Sequence, residues 1–135
     1  PRSTLFPYTT LFRSLKVHKS YLPAVKDLIG KEELHCIAHI TGGGITDNLP
    51  RVLPEDISAL INRGSWEVPA IFRFIENEGQ VCEEEMFRVF NMGVGLILSV
   101  DRKGVETAME HLRDNGEKPF VIGALEKGPR GVVYS

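Results

Sequence analysis

The sequence predicts a single α/β or α+β domain in which a mixed sheet is flanked by helices. Short apolar runs that suit buried strands alternate along the chain with stretches whose apolar residues recur at helical spacing. Glycines and prolines separate these stretches where helices are expected to begin and end. The chain has 135 residues, of which 42% are hydrophobic, so it is long enough to bury one core.

The first half of the domain is predicted to contain a short helix and two strands. Ser20 is placed to cap the helix and Gly30 to end it. HCIAHI, residues 35–40, is an apolar run before three glycines and predicts a buried strand. ISALI, residues 57–61, predicts the second strand. The apolar side of the helix is formed by Leu22, Val25, Leu28 and Ile29.

Two helices are predicted next. Pro69 suits the start of a helix and Gly79 its end. Residues 83–85 are three glutamates, which favour the positive end of a helix dipole and so predict a second helix start. The buried side of the first helix is expected to carry Ile71, Phe72 and Ile75, and that of the second Met86, Phe87 and Phe90.

The last third is predicted as strand, helix and hairpin. VGLILSV, residues 94–100, carries no charge and predicts a central strand covered on both faces. Asp101 is placed to cap a helix that Gly116 stops in a left-handed conformation. FVIGALE, a KGPRG turn and GVVYS predict two paired strands. The helix has an apolar stripe made of Val105, Ala108, Met109 and Leu112.

Residues 1–14, PRSTLFPYTTLFRS, differ in character from the rest of the chain. They contain a near-repeat with neither strand alternation nor a helical stripe, and they resemble the translated end of a sequencing-adaptor oligonucleotide. We therefore predict that residues 1–14 are a non-native scar and that the domain covers residues 15–135. The alternative is a native N-terminal strand.

Composition excludes several classes of partner. The net charge is −2 with acids and bases interspersed, so no basic face predicts nucleic-acid binding. The apolar runs are too short for a membrane span. Cys36 and Cys82 have neither the spacing nor the histidine partners of a zinc site, and no metal site is expected. Two reduced thiols without a signal peptide predict a cytoplasmic protein.

The candidate site follows the first strand, in HITGGGITDNLPRVLP, residues 39–54. His39 lies at the strand's end, where ligands bind in many α/β proteins. Gly42, Gly43 and Gly44 can adopt positive φ and bring backbone N–H groups close to an anionic oxygen. The segment is not a nucleotide P-loop, because no lysine follows the glycines. A structural histidine and a tight turn are the alternatives.

Two further sets of residues are candidates. Asn48 can both donate and accept a hydrogen bond, and Arg51 can bind a phosphate through two bonds. Alternatively, Asn48 caps a turn and Arg51 forms a surface ion pair. FNMGVG, residues 90–95, offers Asn91, Gly93 and Gly95 as secondary candidates, although a helix stop needs such residues anyway. His18, His35 and His111 receive no role.

Four motifs together resemble the C-terminal domain of the phosphoribosylformylglycinamidine cyclo-ligase (aminoimidazole ribonucleotide synthetase) family. They are AHITGGG at 38–44, NLPRVLP at 48–54, RGSWEVPAIFRFI at 63–75 and EEEMFRVFNMGVG at 83–95. The resemblance covers residues 15–135 and implies the C-terminal half of the two-domain AIR synthase fold. Sister ATP-using enzymes share this architecture, and one of them, or a non-catalytic α/β binding module, is the alternative.

The resemblance implies an ATP-dependent ligase of purine biosynthesis. Such an enzyme closes formylglycinamidine ribonucleotide to aminoimidazole ribonucleotide and releases ADP and phosphate. The family uses ATP and Mg²⁺, bound mainly by an N-terminal domain that is absent here, and forms a homodimer. His39 matches a histidine of the substrate site, which lies between the two domains. The resemblance thus implies that this chain is inactive alone and exposes an apolar face toward its missing domain.

Overall fold

The computed structural model describes residues 18–135, so the scar predicted at residues 1–14 lies outside the described residues. The helices are α1 (Leu22–Val25), α2 (Gly44–Asn48), α3 (Ala70–Gly79), α4 (Glu83–Val89) and α5 (Val105–Asp114). The strands are β1 (Leu34–His39), β2 (Ile57–Ile61), β3 (Leu96–Val100), β4 (Gly123–Lys127) and β5 (Gly131–Tyr134). Short 3₁₀ turns span Leu49–Val52, Arg63–Ser65 and Arg102–Gly104. This mixture confirms the predicted α+β class.

The strands form two sheets rather than one. β1 pairs antiparallel with β3, and β2 lies between β4 and β5 in a three-stranded sheet. β2 runs antiparallel to β4 and parallel to β5, so the second sheet is mixed, as expected. β1 and β2 appear where HCIAHI and ISALI predicted them, because both runs are apolar and bounded by turn residues.

The predicted C-terminal hairpin is wrong. β4 and β5 do not pair with each other, because β2 occupies the place between them. The connecting turn instead folds over the start of β2, where the Ser58 hydroxyl donates to the Pro129 carbonyl at 2.6 Å. The backbone N–H of Gly128 also donates to the Asp56 carbonyl, at 2.9 Å. The turn residues predicted the bend between β4 and β5, but they did not predict that β2 lies between these two strands.

The prediction of a central strand covered on both faces, at residues 94–100, is also wrong. β3 pairs with β1 alone, and all five of its side chains are half-buried. It lines a groove of about 1210 Å³ together with the apolar stripe of α5 and residues 118–125. The lack of charge in this run indicated apolar surroundings. In the structure these surroundings are the apolar walls of the groove rather than a second neighbouring strand.

The start of the described chain departs from its prediction. α1 is one turn long, and Tyr21, rather than Ser20, lies at its N-cap without a side-chain bond. Val25 and Leu28 are buried as expected, but Leu22 and Ile29 are 63% and 58% exposed. Because the helix unwinds after one turn, the helical spacing of the apolar residues does not continue to Ile29.

The remaining helices follow their predictions more closely. α3 begins after Pro69, although the left-handed residue that ends it is Gln80 (φ 48°) rather than Gly79. α4 begins with its three glutamates and buries Met86 and Phe87. The residues predicted to be buried on α3, namely Ile71, Phe72 and Ile75, are only half-buried, as is Phe90 after α4.

Asp101 does not cap α5 with its side chain. α5 begins at Val105, after a 3₁₀ turn, and its N-cap is Gly104. The carboxylate of Asp101 instead accepts a hydrogen bond from His35 at 2.8 Å. Gly116 does adopt the predicted left-handed conformation, at φ +78°.

Two apolar clusters form the core. The larger joins both sheets through the 3₁₀ turn Leu49–Val52 and consists of Ala38, Ile40, Ile45, Leu49, Leu53, Ala59, Ile61 and Val94. The smaller lies under α4 and consists of Met86, Phe87 and Met92. Tyr134 packs against both clusters and therefore ties α4 to the second sheet. The segment after β1 crosses this core, which fixes its backbone.

Candidate functional site

β1 places His39 at the end of a fixed backbone with an exposed ring. Ala38 and Ile40 are 3% and 0% exposed, while His35 and His39 are exposed on the other face, as the alternation predicts. Leu96 of β3 lies opposite His39. Within residues 18–135, neither ring nitrogen of His39 has a hydrogen-bond partner.

The glycine loop, residues 41–44, turns the chain from β1 into α2. Gly43 and Gly44 have φ of +91° and +58°, which side chains rarely adopt. A Cβ on Gly44 would also overlap the carbonyl oxygen of Phe87 and approach that of Phe90 to 2.7 Å. Gly42, in contrast, has an ordinary φ and open space around it. Only two of the three glycines are thus required by the fold.

The N–H groups of the glycine loop divide in the same way. Gly43 donates to the Val89 carbonyl at 3.3 Å, and Gly44 donates to the Thr41 carbonyl at 3.1 Å. Both groups are therefore already used, contrary to the expectation that the whole triplet faces a ligand. In the part of the chain that the structure describes, the N–H groups of Thr41 and Gly42 have no acceptor. These two donors follow His39 closely along the chain.

Asn48 shapes the loop from beneath. Its side chain is 7% exposed, and its amide nitrogen donates to the carbonyls of Gly42, at 3.1 Å, and Gly44, at 2.8 Å. Asn48 thus holds the glycine loop in place rather than presenting its amide nitrogen to solvent. Arg51 lies one turn further on and is exposed, with no ion-pair or hydrogen-bond partner between residues 18 and 135. The alternative of a surface ion pair for Arg51 is not found there.

FNMGVG packs beside the glycine loop. The Gly95 carbonyl accepts a hydrogen bond from the Ile40 N–H at 2.9 Å. Asn91 closes its own turn, because its side-chain oxygen accepts from the Gly93 N–H at 3.0 Å. Gly93 has φ +95° and lies against Pro69, so glycine is required there for structural reasons. Of the secondary candidates, Gly95 is the one in direct backbone contact with the end of β1.

His18 and Tyr21 also belong to the site, and sequence reasoning missed both of them. The rings of His18 and His39 meet edge-on, with centroids 4.7 Å apart. Tyr21 contacts His39 edge-on at 6.3 Å and lies against Gly95 so closely that a Cβ there would overlap its hydroxyl. Both residues precede β1 in a segment that fits no recognisable motif, so no local signal could have found them.

His35 contrasts with His39, although both are exposed residues of β1. Its ring is paired with the Asp101 carboxylate, and Lys103 lies 3.8 Å from the same carboxylate. The hydrogen bond from His35 is the main cause that lowers the pKa of Asp101 below its usual value. In the strand itself, burial raises the pKa of the Cys36 thiol. Within the described residues, His35 is therefore hydrogen-bonded through its ring, whereas His39 has ring contacts only.

Neither a metal centre nor a membrane span emerges from the described residues. No three or more His, Cys, Asp or Glu side chains between residues 18 and 135 gather to hold a metal ion. None of the helices there is long and apolar enough to cross a membrane. Cys36 and Cys82 are both free.

The structure defines the class as an α+β domain in which an exposed histidine ends one strand and is followed by a glycine loop held by Asn48. Residues 14–135 match the family described as "AIR synthase related protein, C-terminal domain". The chain belongs to this family.

Curated relatives agree with this family. Proteins named phosphoribosylformylglycinamidine cyclo-ligase are 43% identical to this chain in Pseudothermotoga lettingae, 42% in Thermoanaerobacter sp. strain X514 and 45% in Caldanaerobacter subterraneus. The matches cover 85%, 91% and 85% of this chain. They cover 34%, 35% and 34% of those proteins, so the chain spans about a third of their length.

Solved structures share the fold. Two crystal structures of HypE from E. coli, a hydrogenase maturation protein, match with TM-scores of 0.63 and 0.64. Each match covers 93% of this chain and 40% of the other, at 16% sequence identity. The likeness supports the architecture alone.

Proposed function

We propose that this chain is the C-terminal domain of an ATP-dependent ligase that closes formylglycinamidine ribonucleotide to aminoimidazole ribonucleotide in purine biosynthesis. The observation that carries the proposal is the 42–45% identity to relatives named as that cyclo-ligase, over most of this chain. Its geometry supports the proposal, because the His39 ring and the N–H groups of Thr41 and Gly42 follow one another where β1 ends, and none of them has a hydrogen-bond partner within residues 18–135.

The chemistry explains why such a site is useful. The amide oxygen of the substrate attacks the terminal phosphorus of ATP, and ADP leaves with the electron pair of the broken P–O bond. The internal amine then forms a bond to the activated carbon, phosphate leaves, and the amine loses a proton. The site must therefore stabilise negative charge on the phosphoryl oxygens and accept one proton from the amine.

The described residues can perform these tasks at three points. The His39 imidazole is assigned to proton transfer or to charge stabilisation beside the reacting amide. The Thr41 and Gly42 N–H groups are assigned to an anionic oxygen, which backbone donors stabilise well when they are fixed in advance. Asn48 fixes them by binding the loop carbonyls. Arg51, which is exposed and has no partner within residues 18–135, supplies a positive charge close by in sequence. The Gly95 carbonyl accepts from the Ile40 N–H and so holds the chain just after β1.

ATP and Mg²⁺ are proposed to bind mainly outside this domain. Residues 18–135 offer no cluster of carboxylates suited to a magnesium ion, so these residues do not fit that ion. The part of the relatives that this chain does not match is the proposed source of the ATP and metal ligands. A homodimer, a cytoplasmic location and inactivity of this chain alone complete the proposal.

Exchange of His39 tests the proposed site. In a chimera that joins residues 15–135 to the upstream region of the Thermoanaerobacter relative, His39→Ala is expected to lower turnover by about 10²-fold or more. The melting temperature should not change, because the ring is exposed. His35→Ala is the matched control on the same strand face and should retain turnover. Equal activity of the His39→Ala and parent chimeras would remove His39 from the mechanism.

A further inference from the structure

The ring of His39 is exposed yet surrounded on one side by two other rings. His18 and His39 meet at 4.7 Å with their planes 83° apart, and Tyr21 and His39 meet at 6.3 Å and 65°. His18 and Tyr21 also contact each other, at 6.1 Å and 74°. All three contacts are edge-on, the geometry that aromatic rings favour. The three side chains close a triangle around the candidate catalytic imidazole.

Tyr21 is the fixed corner of this triangle. Its hydroxyl lies against Gly95, where any side chain would overlap it. The ammonium of Lys19 lies 5.9 Å from the Tyr21 ring centroid, and the same ammonium forms a 2.6 Å ion pair with Glu117. Tyr21 is therefore held between the end of β1 and the residues after α5.

The segment that carries both rings is anchored at its other end as well. We call residues 18–25 the N-terminal arm. Ala24 and Val25 are buried, and the His111 ring of α5 lies 3.1 Å from the Ala24 carbonyl oxygen. The arm is thus attached to Glu117, beyond α5, before Tyr21 and to α5 itself after Tyr21. No hydrogen bond within the described residues holds the His39 ring itself. Ring contacts are what remains to orient the imidazole.

We propose that His18 and Tyr21 are positioning residues for His39, fixing the plane of its imidazole through edge-on ring contacts. The inference rests on the proposed function, because a fixed plane matters only if the imidazole meets a substrate. A misplacement of a reacting group by about 1 Å can cost roughly 10²-fold in rate. Edge-on contacts with His18 and Tyr21 would keep a solvent-exposed imidazole in one orientation without using either of its nitrogens.

The test is side-chain NMR of the full 135-residue chain. The parent should show one His39 rotamer and cross-relaxation between the His39 ring and those of His18 and Tyr21. His18→Phe and Tyr21→Phe retain an aromatic edge and should preserve that rotamer. His18→Ala and Tyr21→Leu should give rotamer averaging at His39. Because His18 is exposed, its Ala variant should keep the parent melting temperature, and it decides the matter if Tyr21→Leu fails to fold.

Two outcomes would overturn the proposal. The first is rotamer averaging of His39 in the parent chain. The second is an unchanged His39 rotamer in His18→Ala, with Tyr21→Leu unchanged as well if that variant folds. Turnover of the chimera provides an independent reading: His18→Ala should lower kcat about tenfold with KM unchanged, and His18→Phe should restore it. Loss of the ring contacts is thus detected by NMR as rotamer averaging at His39. Failure of the proposed role of His39 is detected separately, as full turnover of the His39→Ala chimera.

Discussion

Gly42 and Gly44 belong to the same glycine triplet, yet their surroundings differ. Gly44 has a left-handed backbone and touches the carbonyls at the end of α4, while Gly42 has an ordinary φ and open space. The fold therefore requires glycine at position 44 and gives no structural reason for glycine at position 42. The sequence shows both simply as glycine, so this division required the structure.

Alanine at these two positions should change the free energy of unfolding by different amounts. Gly44→Ala is expected to cost about 2 kcal/mol or more in the free energy of unfolding, because strain and backbone overlap add. Gly42→Ala is the matched control and should stay within about 0.5 kcal/mol of the parent. Urea unfolding measures both. Similar losses in the two variants would show that the loop does not have the described conformation.

The pair of His35 and Asp101 predicts a pH dependence. The pKa of Asp101 is lowered in the folded protein, mainly by the hydrogen bond from His35, so its stabilising contribution is present above the unfolded pKa. That contribution is lost as pH falls below about 3.8 through the lower folded pKa.

The melting temperature of the parent should therefore exceed that of Asp101→Asn by a small margin near neutral pH, since the pair is partly exposed. The margin should shrink as the pH falls below 3.8, the ordinary pKa of the Asp101 carboxyl. His35→Ala should behave in the same way, and the double variant should show no further loss. A margin that widens on acidification would contradict the assignment.

At the scale of elements, the second sheet depends on one close approach. Gly123 pairs with Ile61, and a Cβ on Gly123 would overlap the carbonyl oxygen of Leu60. Gly131 begins β5 on the other side of β2, and a Cβ added there would meet nothing nearer than the Pro129 carbonyl oxygen, at 3.9 Å. The two edges of β2 therefore differ in how much they tolerate a side chain.

Hydrogen exchange can detect this difference. In Gly123→Ala the amides of β4 should lose protection by about tenfold or more, because β4 must move away from β2. Gly131→Ala is the control and should leave β4 protected. The pair of β1 and β3 should keep its protection in both variants, since it forms a separate sheet. Uniform loss of protection across both sheets would argue against two separately paired units.

The positions of the helices and strands along the chain were largely predictable, but the pairing of the strands was not. ISALI matched β2 because its apolar run and flanking turns are local properties. The pairing of β4 with β2 instead of β5 depends on long-range contacts that no local pattern records. The same holds for the site: His39 and the glycine loop follow from the sequence, whereas Tyr21 reaches His39 only through the path of the N-terminal arm.

At the scale of the whole molecule, the chain is shorter than the curated relatives that it matches. The chain spans about a third of the curated relatives. Its groove of about 1210 Å³ leaves β3 and α5 with half-buried apolar side chains. The His39 site is likewise open to solvent on one side. The proposed function therefore assigns the ATP-dependent chemistry to this domain together with the region of the relatives that it does not match.

Release of ADP that depends on formylglycinamidine ribonucleotide tests the central proposal most directly. The 135-residue chain and the chimera with the upstream region of a relative are compared under identical conditions with ATP and Mg²⁺. The proposal predicts release by the chimera and none by the 135-residue chain. Release by neither would contradict the cyclo-ligase assignment, and release by the short chain would contradict the claim that ATP chemistry requires the upstream region.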